Sequence, residues 1–66
     1  MTMKTVKYLD INAEDWIYIH QQIAKLDSDF KDADDVEGAI IGGLKPDEHY
    51  TFTEDEDGRL FVSLKN

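Results

Sequence analysis

The sequence predicts an α+β fold: a small two-layer domain in the order β-α-α-β-β, with a three-stranded, mainly antiparallel sheet and the helices on one face. Three features carry that expectation. An apolar stripe at helical spacing runs through Trp16, Ile19, Ile23, Leu26 and Phe30. Gly42-Gly43 followed by Pro46 stops a second, short helix, and strand-rich segments flank the turn Glu56-Asp57-Gly58. A chain of 66 residues has room for one core, so residues 1–66 are read as a single domain.

Residues 4–11 hold Val6, Tyr8, Leu9 and Ile11 among threonine and lysine, the composition of a strand. Val6 and Tyr8 alternate onto one face, Leu9 and Ile11 onto the other, so this strand is expected to be apolar on both faces or to contain a bulge. Asn12 is the expected N-cap of a helix over residues 13–28 or 13–30, with Glu14 and Asp15 where the helix dipole favours acids. Ile11 and Trp16 have hydrophobic-staple spacing, and His20 falls at the edge of the stripe.

Asp32 or Asp34 caps the second helix, with Asp34 and Glu37 at capping-box spacing, and Val36, Ala39, Ile40 and Leu44 face inward. Gly43 supplies a left-handed stop, while Gly38 and Gly42, one turn apart, are expected to let a neighbour approach closely. Residues 48–55 and 59–65 are the expected strands of a hairpin. A three-residue loop sets Tyr50 opposite Leu64 and Phe52 opposite Val62; a two-residue loop would set these aromatics against Lys65 and Ser63. The longer loop is therefore predicted, with Gly58 left-handed. The first strand is expected beside the last, leaving Phe61 and either Val6 or Tyr8 on an open sheet face unless Met1 and Met3 fold over it.

Fifteen acids against seven bases give a net charge of −8 and a pI near 4.4. Such a field repels nucleic acid and anionic membranes and attracts basic protein surfaces. Twelve of the fifteen acids lie in two windows, residues 27–37 and 47–57. The absence of cysteine excludes disulfides and thiolate metal sites and fits a reducing compartment. The longest apolar run, Trp16-Ile17-Tyr18-Ile19, is far below membrane-spanning length, and no signal pattern opens the chain, so a cytoplasmic protein is expected.

Catalytic and cofactor patterns fail one by one. Ser28 and Ser63 lack the glycines of a nucleophile elbow, and His20 and His49 lack zinc-ligand spacing. Asp27-Ser28-Asp29 opens like an EF-hand loop, but Lys31, Asp32 and Gly38 occupy positions where that loop needs a ligand, a glycine and a glutamate. Gly38, Gly42 and Gly43 have no preceding strand and no following Lys-Ser/Thr, as a phosphate loop would require. The chain is thus expected to be no enzyme and to hold no cofactor or metal.

A binding surface is what remains. Asp27, Asp29, Asp32, Asp34, Asp35 and Glu37 form one candidate cluster, and Glu54, Asp55, Glu56 and Asp57 the other, with Phe61 or Tyr18 as apolar anchor. The expected partner is a basic protein surface, such as that of a nucleic-acid-binding protein or nuclease complex, on which carboxylates stand in for phosphates. In size and charge alone the chain resembles the small acidic phage-encoded inhibitors of nucleases and of CRISPR effectors, and the resemblance implies the same nucleic-acid mimicry. The alternative is a homodimeric structural or regulatory domain, joined through the open sheet face or the Gly38 and Gly42 surface, whose acids serve solubility. Four of the first cluster sit at a helix N-terminus, where acids are favoured anyway, whereas Asp27 and Asp29 at the end of the first helix are not explained that way.

Overall fold

Tyr8 and Ile11 are both apolar and lie three residues apart, which a flat strand would send to opposite faces. In the computed structural model, which describes residues 3–65, the chain leaves the strand instead. Strand β1 covers Lys4–Val6, and a 3-10 turn follows at Tyr8–Asp10. Three residues per turn bring Tyr8 and Ile11 to the same side, where both are buried, and turn Leu9 outward to 82 % exposure. The expected strand over residues 4–11 is thereby corrected: a turn, with no bulge and no two-faced strand, resolves the uneven alternation.

Helix α1, Ala13–Leu26, begins after Asn12 as expected, although the Asn12 side chain makes no capping hydrogen bond. Ile19 and Ile23 are fully buried, and His20, expected at the edge, is only 2 % exposed because the inward Tyr8 gives it a partner. The helix stops short of Ser28 and Phe30. Asp27 is extended and opens a turn in which the Phe30 N–H donates to the Asp27 carbonyl at 3.2 Å.

Helix α2, Ala33–Ile41, starts on a reciprocal pair of caps. Asp32 Oδ1 accepts the Asp35 N–H, and Asp35 Oδ2 reaches back to the Lys31 N–H, each at 3.0 Å. Asp32, one of the two caps the sequence offered, is thus the N-cap, and its reciprocal partner is Asp35 in place of the expected Asp34–Glu37 capping box. At the other end Gly43 has φ 118°, with Gly43 N–H to the Ile40 carbonyl at 3.1 Å and Leu44 N–H to the Ala39 carbonyl at 2.9 Å. That is a full Schellman stop. Val36 is fully buried, so the glycines lie away from the core: a Cβ on Gly38 would meet nothing within 4 Å, and one on Gly42 only carbonyls of its own helix. The expected close approach of a neighbour at Gly38 and Gly42 is not found.

A further helix, α3 at Pro46–His49, delays the hairpin, so β2 is Tyr50–Glu54 and does not begin at Glu48. Its signal was present in the sequence: proline at the first helical position, then Asp47 and Glu48 in the first turn. β3 is Leu60–Leu64, and the hairpin has the predicted register, Tyr50 opposite Leu64 and Phe52 opposite Val62, with Gly58 at φ 83°.

The strand order is β1-β2-β3, all antiparallel, so the first strand lies beside β2 and not beside the last strand. Two contacts pin it there. Asp47 Oδ1 accepts the Tyr8 N–H at 3.0 Å at one end, and Lys4 Nζ meets Glu54 Oε1 at 3.3 Å at the other. Val6, Phe52 and Val62 pair across the sheet on the helix side, and Thr5, Thr53 and Phe61 pair on the open side. Phe61 therefore shares its face with Thr5, while Val6 packs against the core and Tyr8 is part of it. Met1 lies outside the described residues, and Met3 is half exposed. The domain is a small α+β two-layer fold whose core joins Tyr8, Ile11, Ile19, Ile23, Val36, Tyr50 and Phe52.

Candidate functional site

The acidic residues divide by what their side chains already hold. Asp27 is the most committed. Its Oδ2 accepts the Tyr50 hydroxyl at 2.7 Å and its Oδ1 the Asp29 N–H at 3.0 Å. These bonds, the Tyr50 one foremost, hold its carboxyl below the ordinary aspartate value. Burial first, and the Asp27 bond second, push the Tyr50 hydroxyl well above its ordinary value. Asp27 thus has a structural task that the sequence did not disclose, locking the end of α1 to the start of β2.

Asp32 and Asp35 cap α2, and Asp55 Oδ1 accepts the N–H groups of Asp57 at 2.9 Å and Arg59 at 2.8 Å inside the hairpin turn. Each accepts from backbone N–H groups and none is paired with a cationic side chain among the described residues. Glu54 is paired with Lys4. By contrast Asp29, Asp34, Glu37 and Asp57 are exposed, and their carboxylates hold no hydrogen bond or ion pair among the described residues. Apart from Glu56, no acid but Glu54 is neutralised by a side-chain ion pair among the described residues.

The structure brings Tyr18 and Phe61 together. With Asp15, Gly58, Arg59 and Leu60 they line an open depression of about 390 Å³ between α1 and β3. Glu54, Asp55 and Glu56 line another of about 360 Å³ with Met3 and Lys4. Asp32 and Asp34 line a third, of about 410 Å³ between α1 and α2, together with Lys25 and Lys31. Among the described residues no three His, Cys, Asp or Glu side chains are gathered to hold a metal ion, and no helix is long and apolar enough to cross a membrane.

Two features escaped the sequence reading. Tyr8 Oη and His20 Nε2 are 2.6 Å apart in the core, and Tyr8 also stacks on Trp16 with ring centres at 5.5 Å. The residue spacings 8, 16 and 20 become one cluster only when the 3-10 turn is known. The second is an open apolar depression of about 490 Å³ lined by Tyr8, Leu9, Ile40, Leu44 and Pro46 with Lys45, Asp47 and Glu48. Its signal in the sequence was Leu9, the residue left over when Tyr8 and Ile11 are turned inward.

One test of this arrangement is local. Tyr50→Phe is expected to cost about 1.5–3 kcal/mol at neutral pH, the worth of a hydrogen bond to a charged group. Because the Asp27 carboxyl is depressed in the folded state, its contribution is present above the unfolded value and lost as pH falls through the folded one. Urea denaturation of both proteins should show the wild-type advantage shrinking on acidification. An equal gap at every pH would contradict the Asp27 assignment.

No protein-family model, curated protein or solved structure matches this chain.

Proposed function

We propose that this domain is a non-enzymatic binding module that occupies a basic, nucleic-acid-binding surface of a larger protein, its carboxylates standing in for phosphates. The observation that carries the reading is the mismatch between charge and internal pairing. A net charge of −8 is spread over a 66-residue domain whose acids, Glu56 aside, make a single side-chain ion pair among the described residues. Self-repulsion of this kind costs a small domain stability and is offset when a cationic surface covers it.

Several features support the same reading. Asp27, Asp32, Asp35 and Asp55 fix their own positions by bonding backbone N–H groups, so their charges are presented on a rigid frame and lose little entropy on binding. Asp29, Asp34, Glu37 and Asp57 point free charge outward around them. Tyr18 and Phe61, both about half exposed, border one depression beside the acidic hairpin turn and offer the aromatic anchorage that charged interfaces need at their centre.

The test is affinity capture from cytosolic extract at low salt, with mass spectrometry, repeated with excess duplex DNA and RNA as competitors. The reading expects a partner of high pI whose capture the nucleic acid abolishes. Capture that nucleic acid leaves untouched would contradict it.

A further inference from the structure

The two edges of the sheet are unlike. β1 is three residues long and carries Lys4, with Lys7 just beyond it, so its edge is short and charged in the way that discourages pairing with another chain. β3 is five residues long, Leu60-Phe61-Val62-Ser63-Leu64, with no charge, no proline and no interruption. Hydrogen bonds at its two ends set the phase of its ladder to β2: Asp55 N–H to the Arg59 carbonyl, and Lys65 N–H to the His49 carbonyl, both at 3.0 Å. Bonded pairs alternate along an antiparallel ladder, so Thr53 pairs with Phe61 and Thr51 with Ser63 through their backbones. Leu60, Val62 and Leu64 therefore direct their N–H and carbonyl groups away from β2. None of these outward groups finds a partner among the described residues.

We propose that the outer edge of β3 pairs antiparallel with β3 of a second copy of this chain, on a two-fold axis through Val62, to make a continuous six-stranded sheet. The occupant follows from the strand's own symmetry. Centring on Val62 sets Leu60 against Leu64 of the partner subunit and Phe61 against the partner's Ser63, with all three outward residues of each strand in bonded positions, about six backbone hydrogen bonds in total. A register moved by two residues wastes at least one of these pairs. The strand has apolar side chains on both of its faces: Leu64 and Phe61 are 51 % and 43 % exposed in the single chain. The segment 59–65 has two bases and no acid in a chain of net charge −8, so the copies meet along the stretch that is least acidic.

This inference rests on the backbone of β3 and not on the acidic clusters, shares only Phe61 with the basic-partner reading, and has the opposite salt dependence. Two chains of charge −8 repel, so screening by salt strengthens the dimer, whereas salt weakens attraction to a basic partner.

Sedimentation equilibrium over a dilution series up to about 0.1 mM tests the dimer by mass action. The expected result is a two-fold mass at the upper end that dissociates on dilution and is favoured by added salt. Phe61→Lys with Ser63→Lys places lysines opposite lysines across the axis, both at exposed positions, and should give a folded monomer by circular dichroism. It does so while lowering the net negative charge, which by general repulsion alone would promote association. As a second measurement, Val62→Cys introduces the one cysteine of the chain on the axis, where Cα atoms of a bonded pair stand about 5.5 Å apart, within disulfide reach. Mild oxidation should cross-link it rapidly, and Asp57→Cys at the turn should not. A wild type that stays monomeric throughout, a dimer untouched by the two lysines, or a Val62→Cys chain that cross-links no faster than the Asp57→Cys control would overturn the proposal.

Discussion

Tyr8→Ala is expected to abolish cooperative folding at room temperature. Tyr8 is the piece that joins the 3-10 turn, α1 and the sheet. Its ring stacks on Trp16 and His20 with centres at 5.5 and 5.9 Å, tilts against Phe52 at 5.9 Å, and its hydroxyl meets His20 Nε2 at 2.6 Å. Deleting a buried aromatic ring costs about 3–5 kcal/mol, and the single core of a 66-residue domain without disulfides rarely supplies more than about 3–5 kcal/mol of net stability. The loss therefore approaches or exceeds the whole. Tyr8→Phe keeps the stacking and leaves a buried imidazole nitrogen without its partner, so a loss of about 1–3 kcal/mol is expected. Urea denaturation followed by circular dichroism separates the two, and a cooperative Tyr8→Ala transition near the wild-type midpoint would contradict this account of the core.

The same cluster carries a pH dependence with a definite sign. Burial holds the His20 imidazole below its ordinary value, and the Glu37 carboxylate pulls the other way with smaller effect. The folded ring is neutral, while the unfolded ring takes a proton near about pH 6.5. Its contribution to stability is complete above that value and is lost as pH falls toward the folded pKa. Acidification also relieves the net negative charge of the whole chain, so the informative quantity is a difference. Relative to His20→Gln, which does not titrate, the wild type should lose stability between about pH 7.5 and pH 5. A difference that stays constant over this range would show that His20 is not held neutral by the fold.

The second large effect concerns the surface. Asp29→Asn, Asp34→Asn, Glu37→Gln and Asp57→Asn together take the net charge from −8 to −4 without touching a cap or turn bond that their side chains make. At about 0.5–1 kcal/mol for each exposed charge opposite a cationic surface, affinity for a basic partner should fall about 30-fold or more. Folding stability should change by less than about 1 kcal/mol, because the dipole contribution lost near the start of α2 is opposed by relief of the self-repulsion among the acids, and Glu37 is the smaller of the two influences on His20. Asp32, Asp35 and Asp55 are poorer probes: their replacement removes backbone caps worth about 1 kcal/mol each, mixing stability with recognition. Equal affinity of the quadruple variant and wild type, measured by calorimetry, would remove these charges from the interface.

Local signals were legible where one residue type imposes one geometry. Gly43 and Gly58 stop a helix and close a bulged turn, and the Tyr50–Leu64 and Phe52–Val62 pairs follow from keeping aromatics opposite apolar partners. The α+β class and the antiparallel hairpin rest on those signals. What the sequence concealed depends on distant partners. β1 sits beside β2 because Asp47 and Glu54, some forty to fifty residues on, bond Tyr8 and Lys4. Asp27 looked like surplus charge at the wrong end of a helix until Tyr50, twenty-three residues later, was seen to donate to it. The acidic cluster accordingly splits: Asp27, Asp32, Asp35 and Asp55 bond groups of the fold, whereas the carboxylates of Asp29, Asp34, Glu37 and Asp57 hold no hydrogen bond or ion pair among the described residues.

The most direct test of that division is the salt dependence of the captured partner's affinity for this domain. Dissociation constants measured by titration calorimetry at about 50 and 300 mM salt should differ by tenfold or more, because the attraction between exposed charges is screened within a Debye length. The quadruple variant should show a much flatter dependence. An affinity that is the same at both ionic strengths would contradict the claim that the unpaired carboxylates of this domain are its binding surface.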